Sequence, residues 1–354
     1  MTILVTGGTG YIGSHTCVEL LEAGHDVVVV DNFSNSRREV AERVEHITGR
    51  PLPVFELDLR NRQGLAAIFS AHHIDAVIHF AGLKAVGESV AMPLAYFDAN
   101  VGSTLVLAEV MAEFGVDTLV FSSSATVYGE PDELPIPETA PLKRPTNPYG
   151  RSKLFIEEIL RDLRVADPTW RIGLLRYFNP VGAHPSGLIG EDPLGMPNNL
   201  MPLVAATAVG RRASVSVFGS DYPTPDGTGV RDYIHVVDLA RAHVAALDYL
   251  RDRPDGEELT VNLGTGRGYS VLEVIRAFEA ASGQPIPYTL TDRRPGDVAA
   301  CYADPGLAHR LLGWRAELGL ERMCADVWRW QSRHPEGLRT VEEAPEDRAR
   351  AALA

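Results

Sequence analysis

The sequence predicts an α/β protein with a doubly wound parallel sheet and a smaller C-terminal α/β lobe. Short apolar runs of strand length recur in the first half of the chain, and amphipathic stretches of helical length separate most of them. The run Val27-Val28-Val29-Val30 is apolar on both faces, as expected for a parallel strand that helices cover on both sides. Beyond Asn179-Pro180 the chain becomes rich in glycine and proline, which indicates a change of architecture.

In the first lobe, predicted strands and helices alternate along the chain. Strands are expected at roughly residues 2–6, 26–31, 53–57, 75–80, 117–122 and 171–177. The first lobe then covers residues 1–178, and a segment at about 230–250 returns to it. Residues 179–341 form the second lobe. The charged, alanine-rich residues 342–354 lack apolar periodicity and are expected to form a flexible tail.

Charge and composition limit the partners and the compartment. The chain carries 47 acidic and 33 basic residues, a formal net charge of -14. Such a charge repels nucleic acid and anionic membranes, so neither is expected as a partner. Cys17, Cys301 and Cys324 stand far apart and match no metal-binding or redox spacing, so no metal site is expected. Without a signal-peptide pattern or an apolar run of membrane length, the sequence predicts a cytoplasmic protein.

A glycine-rich turn follows the first predicted strand and opens a helix. The segment Gly7-Gly8-Thr9-Gly10-Tyr11-Ile12-Gly13 contains both GxxGxxG and GxGxxG spacings. Small residues let the backbone approach a pyrophosphate, and the helix N-terminus offers that anion free N–H groups and a positive dipole end. This pattern is typical of a Rossmann-type dinucleotide site, with cofactor contacts expected from Gly7, Gly10, Tyr11, Ile12 and Gly13.

The carboxyl ends of the next strands supply further candidates. Asp31 lies 18 residues after Gly13, where a carboxylate can accept both hydroxyls of an adenosine ribose and would repel a ribose phosphate. NAD is therefore favoured over NADP, although Arg37 and Arg38 are the kind of residue that a phosphate would need. Asp58 could meet the adenine amino group or could simply cap the following helix. Cofactor contacts are expected from Asn32, Asn35, Ser36, Asp58, Leu59, Phe80, Ala81, Gly82 and Ser122.

A serine run and a tyrosine–lysine pair predict the catalytic group. Ser122-Ser123-Ser124 follow the fifth strand, and Tyr149 and Lys153 lie four residues apart on one face of the next helix. Tyrosine ordinarily titrates at about 10. A nearby ammonium and a positive nicotinamide ring should lower that pKa, so that Tyr149 can serve as a base. We expect Tyr149 and Ser124 to contact one sugar hydroxyl while Lys153 bridges the nicotinamide ribose.

Several longer segments are similar to those of a known family. They are residues 79–89, 122–129, 176–183, 197–200 and 229–235. On these segments the chain resembles the extended short-chain dehydrogenases/reductases and, within them, the UDP-galactose (UDP-glucose) 4-epimerases, from Gly7 to about His334. The resemblance implies an NAD-dependent isomerase that removes a hydride from carbon 4 of a UDP-hexose and returns it to the opposite face. It also implies a homodimer joined through helices that begin near Asn100 and Tyr149.

The same resemblance implies residues that hold each ligand. Lys84, Asn100 and Phe178 would help to hold the cofactor, together with Tyr149 and Lys153. Arg231 and Arg294 would bind the diphosphate, since a guanidinium offers paired donors to phosphate oxygens. The UDP-sugar site would be lined by Lys84, Ser124, Tyr149, Asn179, Asn199, Leu200, Ser216, Val217, Phe218, Arg231, Arg294, Asp297 and Cys301.

Cys301 marks a departure from many bacterial relatives, in which a tyrosine narrows the hexose pocket at the matching position. The smaller thiol leaves space for an acetamido group. The sequence therefore predicts that UDP-N-acetylglucosamine and UDP-N-acetylgalactosamine are also substrates.

Two other functions use the same scaffold. A sugar-nucleotide 4,6-dehydratase would share the fold, NAD and the tyrosine–lysine pair, but it needs a carboxylate pair where this chain has Ser124-Ala125-Thr126. A non-catalytic NAD-sensing regulator would have no need to keep Ser124, Tyr149 and Lys153 together. Both functions are alternatives to the epimerase.

Overall fold

The structure is a computed structural model that describes residues 1–338 except Met196, Asn198, Pro254 and Pro295. The predicted tail at 342–354 and the last three residues of the predicted second lobe lie outside the described residues. No helix in the described part of the chain is long and apolar enough to cross a membrane.

Within the described residues, a parallel sheet of seven strands organises the larger part of the molecule. The strands are β1 (Thr2–Thr6), β2 (Asp26–Asp31), β3 (Val54–Glu56), β4 (Ala76–His79), β5 (Thr118–Ser124), β6 (Arg171–Tyr177) and β10 (Glu257–Leu263). Their order is β10-β6-β5-β4-β1-β2-β3. The strand order reverses at β1 and β4, and ligands bind such sheets in the crevice at the carboxyl ends of those strands. The six strands and the fold class that the sequence predicts are confirmed.

Helices cover both faces of this sheet. Those that precede residue 170 are α1 (Tyr11–Glu22), α2 (Glu39–Thr48), α3 (Arg62–Ala71), α4 (Val86–Ala91), α5 (Pro93–Phe97), α6 (Ser103–Glu113) and α7 (Pro148–Ala166). A π-helical turn at 98–102 joins α5 to α6, and a 3-10 turn at 125–128 follows β5. Neighbouring strand residues enter different cores: Val27 and Val29 pack in one, Val28 and Val30 in the other. This explains why the valine run is apolar throughout.

The second lobe combines short strands with three helices around a core of its own. That core includes Val204 of α8, Phe278 of α10 and Met323 of α12. Strand β9 pairs with β7, β11 and β13, and β8 pairs with β12. Besides β10, the described elements after β6 are β7 (Asn179–Val181), α8 (Leu200–Ala208), β8 (Val215–Phe218), β9 (Val230–His235), α9 (Val236–Arg251), β11 (Gly268–Ser270), α10 (Val271–Ser282), β12 (Tyr288–Thr291), β13 (Ala300–Cys301), α11 (Gly306–Leu312) and α12 (Leu320–Arg333).

Two late elements belong to the large sheet. Helix α9 packs against α1, and β10 pairs in parallel with β6 from Glu257 opposite Arg171 to Leu263 opposite Tyr177. The sequence predicted a returning segment at about 230–250 but not the strand that follows it. The division of the chain at residue 178 stays a prediction.

Candidate active site

The glycine turn between β1 and α1 is closed so tightly that side chains would not fit. Gly7 has φ +68°, in the left-handed region that favours glycine, and its N–H donates to the Val30 carbonyl at 2.7 Å. A Cβ on Gly7 would lie 2.8 Å from the Ala81 nitrogen, and one on Gly13 would lie 2.2 Å from the Gly7 carbonyl oxygen. The turn therefore brings backbone, and not side chains, to the crevice of the sheet.

Helix α1 presents uncapped amide groups at this turn. Gly10 is its N-cap, has no side-chain hydrogen bond to the helix, and accepts from the Ser14 N–H at 2.9 Å. The amides of the three residues between them, 11–13, have no acceptor within the helix. Partial positive charge collects at such an end, which suits an anionic pyrophosphate. The chain thus fits a dinucleotide here.

Asp31 lies at the end of β2, directly beside the glycine turn. Its carboxylate accepts from the Thr9 N–H at 3.1 Å, the Phe33 N–H at 3.0 Å and the Ser36 hydroxyl at 2.9 Å. A carboxylate has about four acceptor positions, so about one remains for a ligand. This is fewer than the two ribose hydroxyls that the sequence led us to expect at Asp31.

The two arginines that could favour a ribose phosphate are engaged elsewhere. Arg38 pairs with Glu56 at 2.7 Å, and the Arg37 Nε lies 3.7 Å from a carboxylate oxygen of Asp192. Both guanidinium groups therefore face protein carboxylates, which agrees with the preference for NAD over NADP.

Asp58 is held by an arginine at the end of β3. Arg60 donates to it from Nη2 at 2.6 Å and from Nε at 2.9 Å, and these bonds lower the pKa of Asp58 to about 2. The N-cap of α3 is Asn61, which accepts from the Gly64 N–H at 3.0 Å. The interpretation of Asp58 as a helix cap is therefore wrong. The Asn32 side-chain amide donates to the Asp58 carboxylate at 3.5 Å, so the two side chains lie at the same edge of the sheet.

The loop after β4 depends on Asn100, which lies beneath it in the π-helical turn. The Asn100 amide accepts from the Leu83 N–H at 2.7 Å and donates to the Leu83 carbonyl at 3.0 Å and to the Ser152 hydroxyl at 2.9 Å. Both amide hydrogens are thus donated to protein. Asn100 therefore positions the loop that runs from Phe80 through Ala81 and Gly82 to Lys84. Its side chain can still accept a hydrogen bond from a ligand but has no hydrogen left to donate.

The three predicted catalytic residues meet where β5 ends and α7 begins. Asn147 caps α7 by accepting from the Gly150 N–H at 2.8 Å, and Pro148 occupies its first turn. The Lys153 ammonium donates to the Ser122 carbonyl at 2.8 Å and lies 6.0 Å from the centre of the Tyr149 ring. The side chains of Ser124, Tyr149 and Lys153 are all buried.

The Ser124 hydroxyl can act as a hydrogen-bond donor. Its oxygen accepts from the Thr126 N–H at 3.2 Å and from the Thr126 hydroxyl at 3.0 Å, which leaves its own hydrogen free to donate. A hydrogen bond between Ser124 and Tyr149 lowers the pKa of Tyr149, but burial raises it by more. In the protein alone desolvation therefore dominates, and the lowering expected from the ammonium together with a bound nicotinamide ring stays a prediction. Burial also lowers the pKa of Lys153, to about 8.

Four of the predicted UDP-sugar residues lie together on the second lobe. Arg294 donates to Asp297 at 3.1 Å and lies 5.5 Å above the Phe218 ring, and Arg231 lies 3.9 Å from the same carboxylate. Arg231 also donates to the Val298 carbonyl at 2.9 Å. Two guanidinium groups share one carboxylate, so the cluster keeps a net positive charge that suits a diphosphate.

The remaining substrate candidates differ in whether their side chains face the core or the surface. Val217 packs in the second-lobe core with 1% of its surface exposed, so only its backbone could reach a ligand, whereas its neighbours Ser216 and Phe218 face outward. Cys301 pairs in register with Arg231 and packs against the cluster that contains Phe178. Burial raises the pKa of Cys301 to about 11, so the thiol is neutral. Cys301 therefore lies between the diphosphate candidates and the cofactor candidates.

Glu191 was not expected from the sequence. Its carboxylate accepts from the Lys84 ammonium at 3.0 Å and from the Asn199 amide at 3.4 Å. It thereby joins a cofactor candidate to a substrate candidate. Asn199 precedes Leu200, the first residue of α8, and Asn179 begins β7. An isolated glutamate in a glycine- and proline-rich stretch carries no local pattern that predicts this role, and the neighbouring Asn198 lies outside the described residues.

The described residues contain no group of three or more histidine, cysteine, aspartate or glutamate side chains that could hold a metal ion. Their cysteines, Cys17, Cys301 and Cys324, are free thiols.

Known proteins are similar to this chain over nearly its whole length. Residues 3–264 match the NAD dependent epimerase/dehydratase family. UDP-glucose 4-epimerase of Bacillus subtilis (strain 168) is 60% identical over 342 residues, which cover 97% of this chain and 100% of that relative.

Two solved structures share the fold closely. UDP-glucose 4-epimerase from Bifidobacterium longum, in complex with NAD+ and UDP, has a TM-score of 0.92 and 58% identity, and covers 95% of this chain and 100% of its own. The enzyme from Stenotrophomonas maltophila, with bound NAD and formylated UDP-arabinopyranose, has a TM-score of 0.92 and 53% identity, and covers 95% of this chain and 99% of its own.

Proposed function

The chain belongs to the NAD-dependent epimerase/dehydratase family, within the extended short-chain dehydrogenases/reductases, and from this premise we propose that it interconverts UDP-glucose and UDP-galactose with NAD. The observation that carries the proposal is the meeting of Ser124, Tyr149 and Lys153 at the end of β5. This group lies at the sheet edge that the glycine turn and α1 also face. The proton acceptor and the glycine turn that would bind the dinucleotide therefore lie at the same crevice.

The chain supplies the proton transfer. Tyr149 takes the proton of the sugar hydroxyl at carbon 4, and Ser124 donates a hydrogen bond to the same sugar oxygen. NAD, when bound, accepts the hydride and returns it. Lys153 holds positive charge beside the phenol and favours its deprotonated form against the effect of burial. The same phenol returns the proton when the hydroxyl is restored in the opposite configuration.

The second lobe anchors the nucleotide. Arg231 and Arg294 bind the diphosphate with paired donors, while Asn179, Asn199 and the backbone of Ser216–Phe218 contact the remaining parts of UDP. Anchoring at the nucleotide leaves the hexose free to turn over, so that the keto sugar exposes its other face. Remote binding energy then positions a loosely held reacting group.

Incubation of the purified protein with UDP-galactose, without added NAD, tests the proposal. Net formation of UDP-glucose is expected, because the cofactor has to remain bound through the cycle. Loss of water from the sugar would instead identify a 4,6-dehydratase, and binding of NAD without turnover would identify a regulator. Either result would overturn the proposal.

The cytoplasm is the compartment that we propose for this activity. Cys17 and Cys324 are buried and Cys301 is half-buried, and all three are thiols, which persist in a reducing compartment.

Acceptance of N-acetylated UDP-hexoses follows from Cys301, and its replacement by tyrosine is expected to remove it. The added ring would fill space beside Phe178, so conversion of UDP-N-acetylglucosamine should fall at least about tenfold, as a steric change in a pocket allows. Conversion of UDP-galactose should fall less. Steady-state assays with both substrates measure the ratio.

Cys301→Ser is the matched control, because it keeps a small side chain at the same position. Both activities should stay within about threefold of the parent, since volume is conserved. If neither the parent nor Cys301→Tyr converts UDP-N-acetylglucosamine, the idea that Cys301 widens the pocket is wrong.

Apolar side chains on α5, α6 and α7 support the homodimer. Leu94 is 82% exposed, and Leu105 and Phe155 are also exposed, with the Phe155 ring stacked on Phe97 at 5.8 Å between centroids. A double substitution, Leu105→Glu with Phe155→Glu, would place charge in the interface and should convert the dimer to monomer in sedimentation experiments at micromolar concentration.

Val165→Glu is the control for that substitution, because Val165 is exposed at the far end of α7. It should leave the dimer intact. A parent protein that sediments as a monomer would contradict the assignment of these helices to an interface.

A further inference from the structure

Besides Tyr149 and Lys153, helix α7 buries a carboxylate that the proposed mechanism does not use. Glu157 follows Lys153 by one helical turn, as Lys153 follows Tyr149, so the three share one face. The Glu157 side chain is 0% exposed. A carboxylate is kept at such a depth only when it is paired and fully hydrogen-bonded, so its partners indicate why it is there.

Arg176 of β6 clamps Glu157 with two parallel bonds. Its Nε donates to Oε1 at 3.0 Å and its Nη2 to Oε2 at 2.6 Å. The Ser123 hydroxyl donates to Oε1 at 2.5 Å, and Arg161 donates to Oε2 at 3.2 Å. Every acceptor position that faces β5 and β6 is therefore in use, and the carboxylate has one orientation.

Three successive residues of β5 each meet one residue of α7. Ser124 bonds Tyr149, the Ser122 carbonyl accepts from Lys153, and the Ser123 hydroxyl donates to Glu157. Two of these contacts involve the reacting group and the third does not. The third contact is the one reinforced by a buried ion pair, which makes it the firmest of the set.

The clamp is itself anchored away from α7. The Arg176 Nη1 donates to the Tyr128 hydroxyl at 3.0 Å, which in turn donates to Asn262 at 2.7 Å. Tyr128 lies in the 3-10 turn after β5, and Asn262 lies in β10. Arg176 is 2% exposed, so the clamp is enclosed between α7 and the sheet.

We propose that Glu157, clamped by Arg176, is a positioning residue for the reaction: it fixes the register of α7 on β5, so that Tyr149 faces Ser124 and Lys153 faces the end of the strand. The inference rests on the proposed function, since it assigns Glu157 a role in that proton transfer. Glu157 touches neither ligand site and acts through Lys153 and Tyr149.

The negative charge of Glu157 also bears on Lys153. Several of the other titratable groups that face this region are neutral. Burial lowers the pKa of His79 to about 3, and burial raises the pKa values of the phenols of Tyr96, Tyr128 and Tyr177. Charged groups on the packed elements include Arg161 and Arg176, which bond Glu157. They also include four carboxylates that are bonded by other groups: Glu88 by Tyr96, Asp98 by Arg60, and Glu158 and Glu258 by Arg161.

Glu157 is therefore the carboxylate that favours the ammonium form of Lys153. Burial lowers the pKa of Lys153 to about 8, and the charge of Glu157 opposes that effect. Removing the charge moves the pKa further down, so the ammonium is lost at a lower pH. The alkaline limb of the activity profile, which reports the loss of that ammonium, should move to lower pH as well.

The substitution Glu157→Gln tests the proposal, with Glu158→Gln as its control. Glu158 is the next residue of the same helix, is exposed, and pairs with the same Arg161 at 2.6 Å. For Glu157→Gln we expect kcat for UDP-galactose to fall about 10- to 100-fold with KM changed less than about threefold, as misplacement of a reacting group predicts. The alkaline limb of kcat should move to lower pH. Glu158→Gln should match the parent in kcat, KM and profile.

Ser123→Ala provides a second test that does not leave a charge unpaired. It removes only the hydroxyl that joins β5 to Glu157, so the protein should fold and kcat should fall about threefold to tenfold, the effect of one hydrogen bond of ordinary strength. The alkaline limb should not move, because the carboxylate remains.

The outcomes separate the two proposals. A parent protein that does not convert UDP-galactose overturns the proposed function and this inference with it. An active parent, together with a Glu157→Gln or Ser123→Ala variant of unchanged kcat, overturns this inference alone. A folded Glu157→Gln variant that loses activity equally at every pH would show a purely structural role and would also overturn it.

Discussion

Replacing Tyr149 by phenylalanine is expected to lower kcat for UDP-galactose by roughly 10² to 10⁴, the range that a positioned acid–base group contributes. The substitution removes the phenol oxygen that hydrogen-bonds with Ser124 and leaves the buried ring in place. Cofactor content and folding should therefore stay the same. Steady-state conversion of UDP-galactose and the amount of NAD released on denaturation measure the two properties separately.

Tyr96→Phe is the matched control for that prediction. Tyr96 is also a buried phenol, and its hydroxyl donates to the exposed Glu88 at 2.6 Å and not to the catalytic group. Loss of one such bond to a charged group costs about 1.5 to 3 kcal/mol of stability and should leave kcat within about threefold. A Tyr149→Phe enzyme with the turnover of the parent would remove Tyr149 from the proton transfer.

Substitution of Gly13 by alanine is expected to abolish retention of the cofactor. Its Cβ would lie 2.2 Å from the Gly7 carbonyl oxygen and 2.9 Å from the Gly8 Cα, and both are backbone atoms of the glycine turn. The turn would have to open, which separates the N-terminus of α1 from the end of β4 and misplaces the amides that face the pyrophosphate. Conversion of UDP-galactose without added NAD should fall more than about 100-fold, since a misplaced binding group costs this much.

Gly319→Ala tests whether that loss is specific to the glycine turn. Gly319 also lies at a helix N-terminus, but a Cβ there would meet only the flexible Glu321 side chain, at 3.4 Å. The variant should keep its bound NAD and its turnover. If Gly13→Ala retained as much NAD per chain as Gly319→Ala, the glycine turn would not be the site of the pyrophosphate.

The parts of the fold that the sequence predicts are those with a local signal. The strands at Thr2–Thr6 and Arg171–Tyr177 match their apolar runs residue for residue, because parallel strands buried on both faces leave an unmistakable pattern. Strand β10 was missed. Its first residues, Glu257 and Glu258, are charged, and its place beside β6 is set by packing between distant parts of the chain.

In the candidate site as well, residues with a fixed spacing could be predicted from the sequence, whereas contacts between distant residues could not. Tyr149, Lys153 and the glycine turn have fixed spacings along the chain, and the structure brings them to one edge of the sheet. The extent to which burial raises the pKa of Tyr149 in the protein alone was not predicted, because spacing shows a neighbouring ammonium but not the depth of burial. Contacts such as Lys84 with Glu191 join residues more than 100 positions apart, and no periodicity predicts them.

The late position of β10 in the sequence also determines when, during synthesis, the seven-stranded sheet can be completed. The ribosome adds β1 to β6 first, and it adds Leu263 only after about three quarters of the polypeptide has been made. Until then β6 is an open edge whose backbone N–H and C=O groups can pair with another chain. The nascent protein therefore passes through an interval of exposure to aggregation, and a fragment that ends at residue 178 would never leave it.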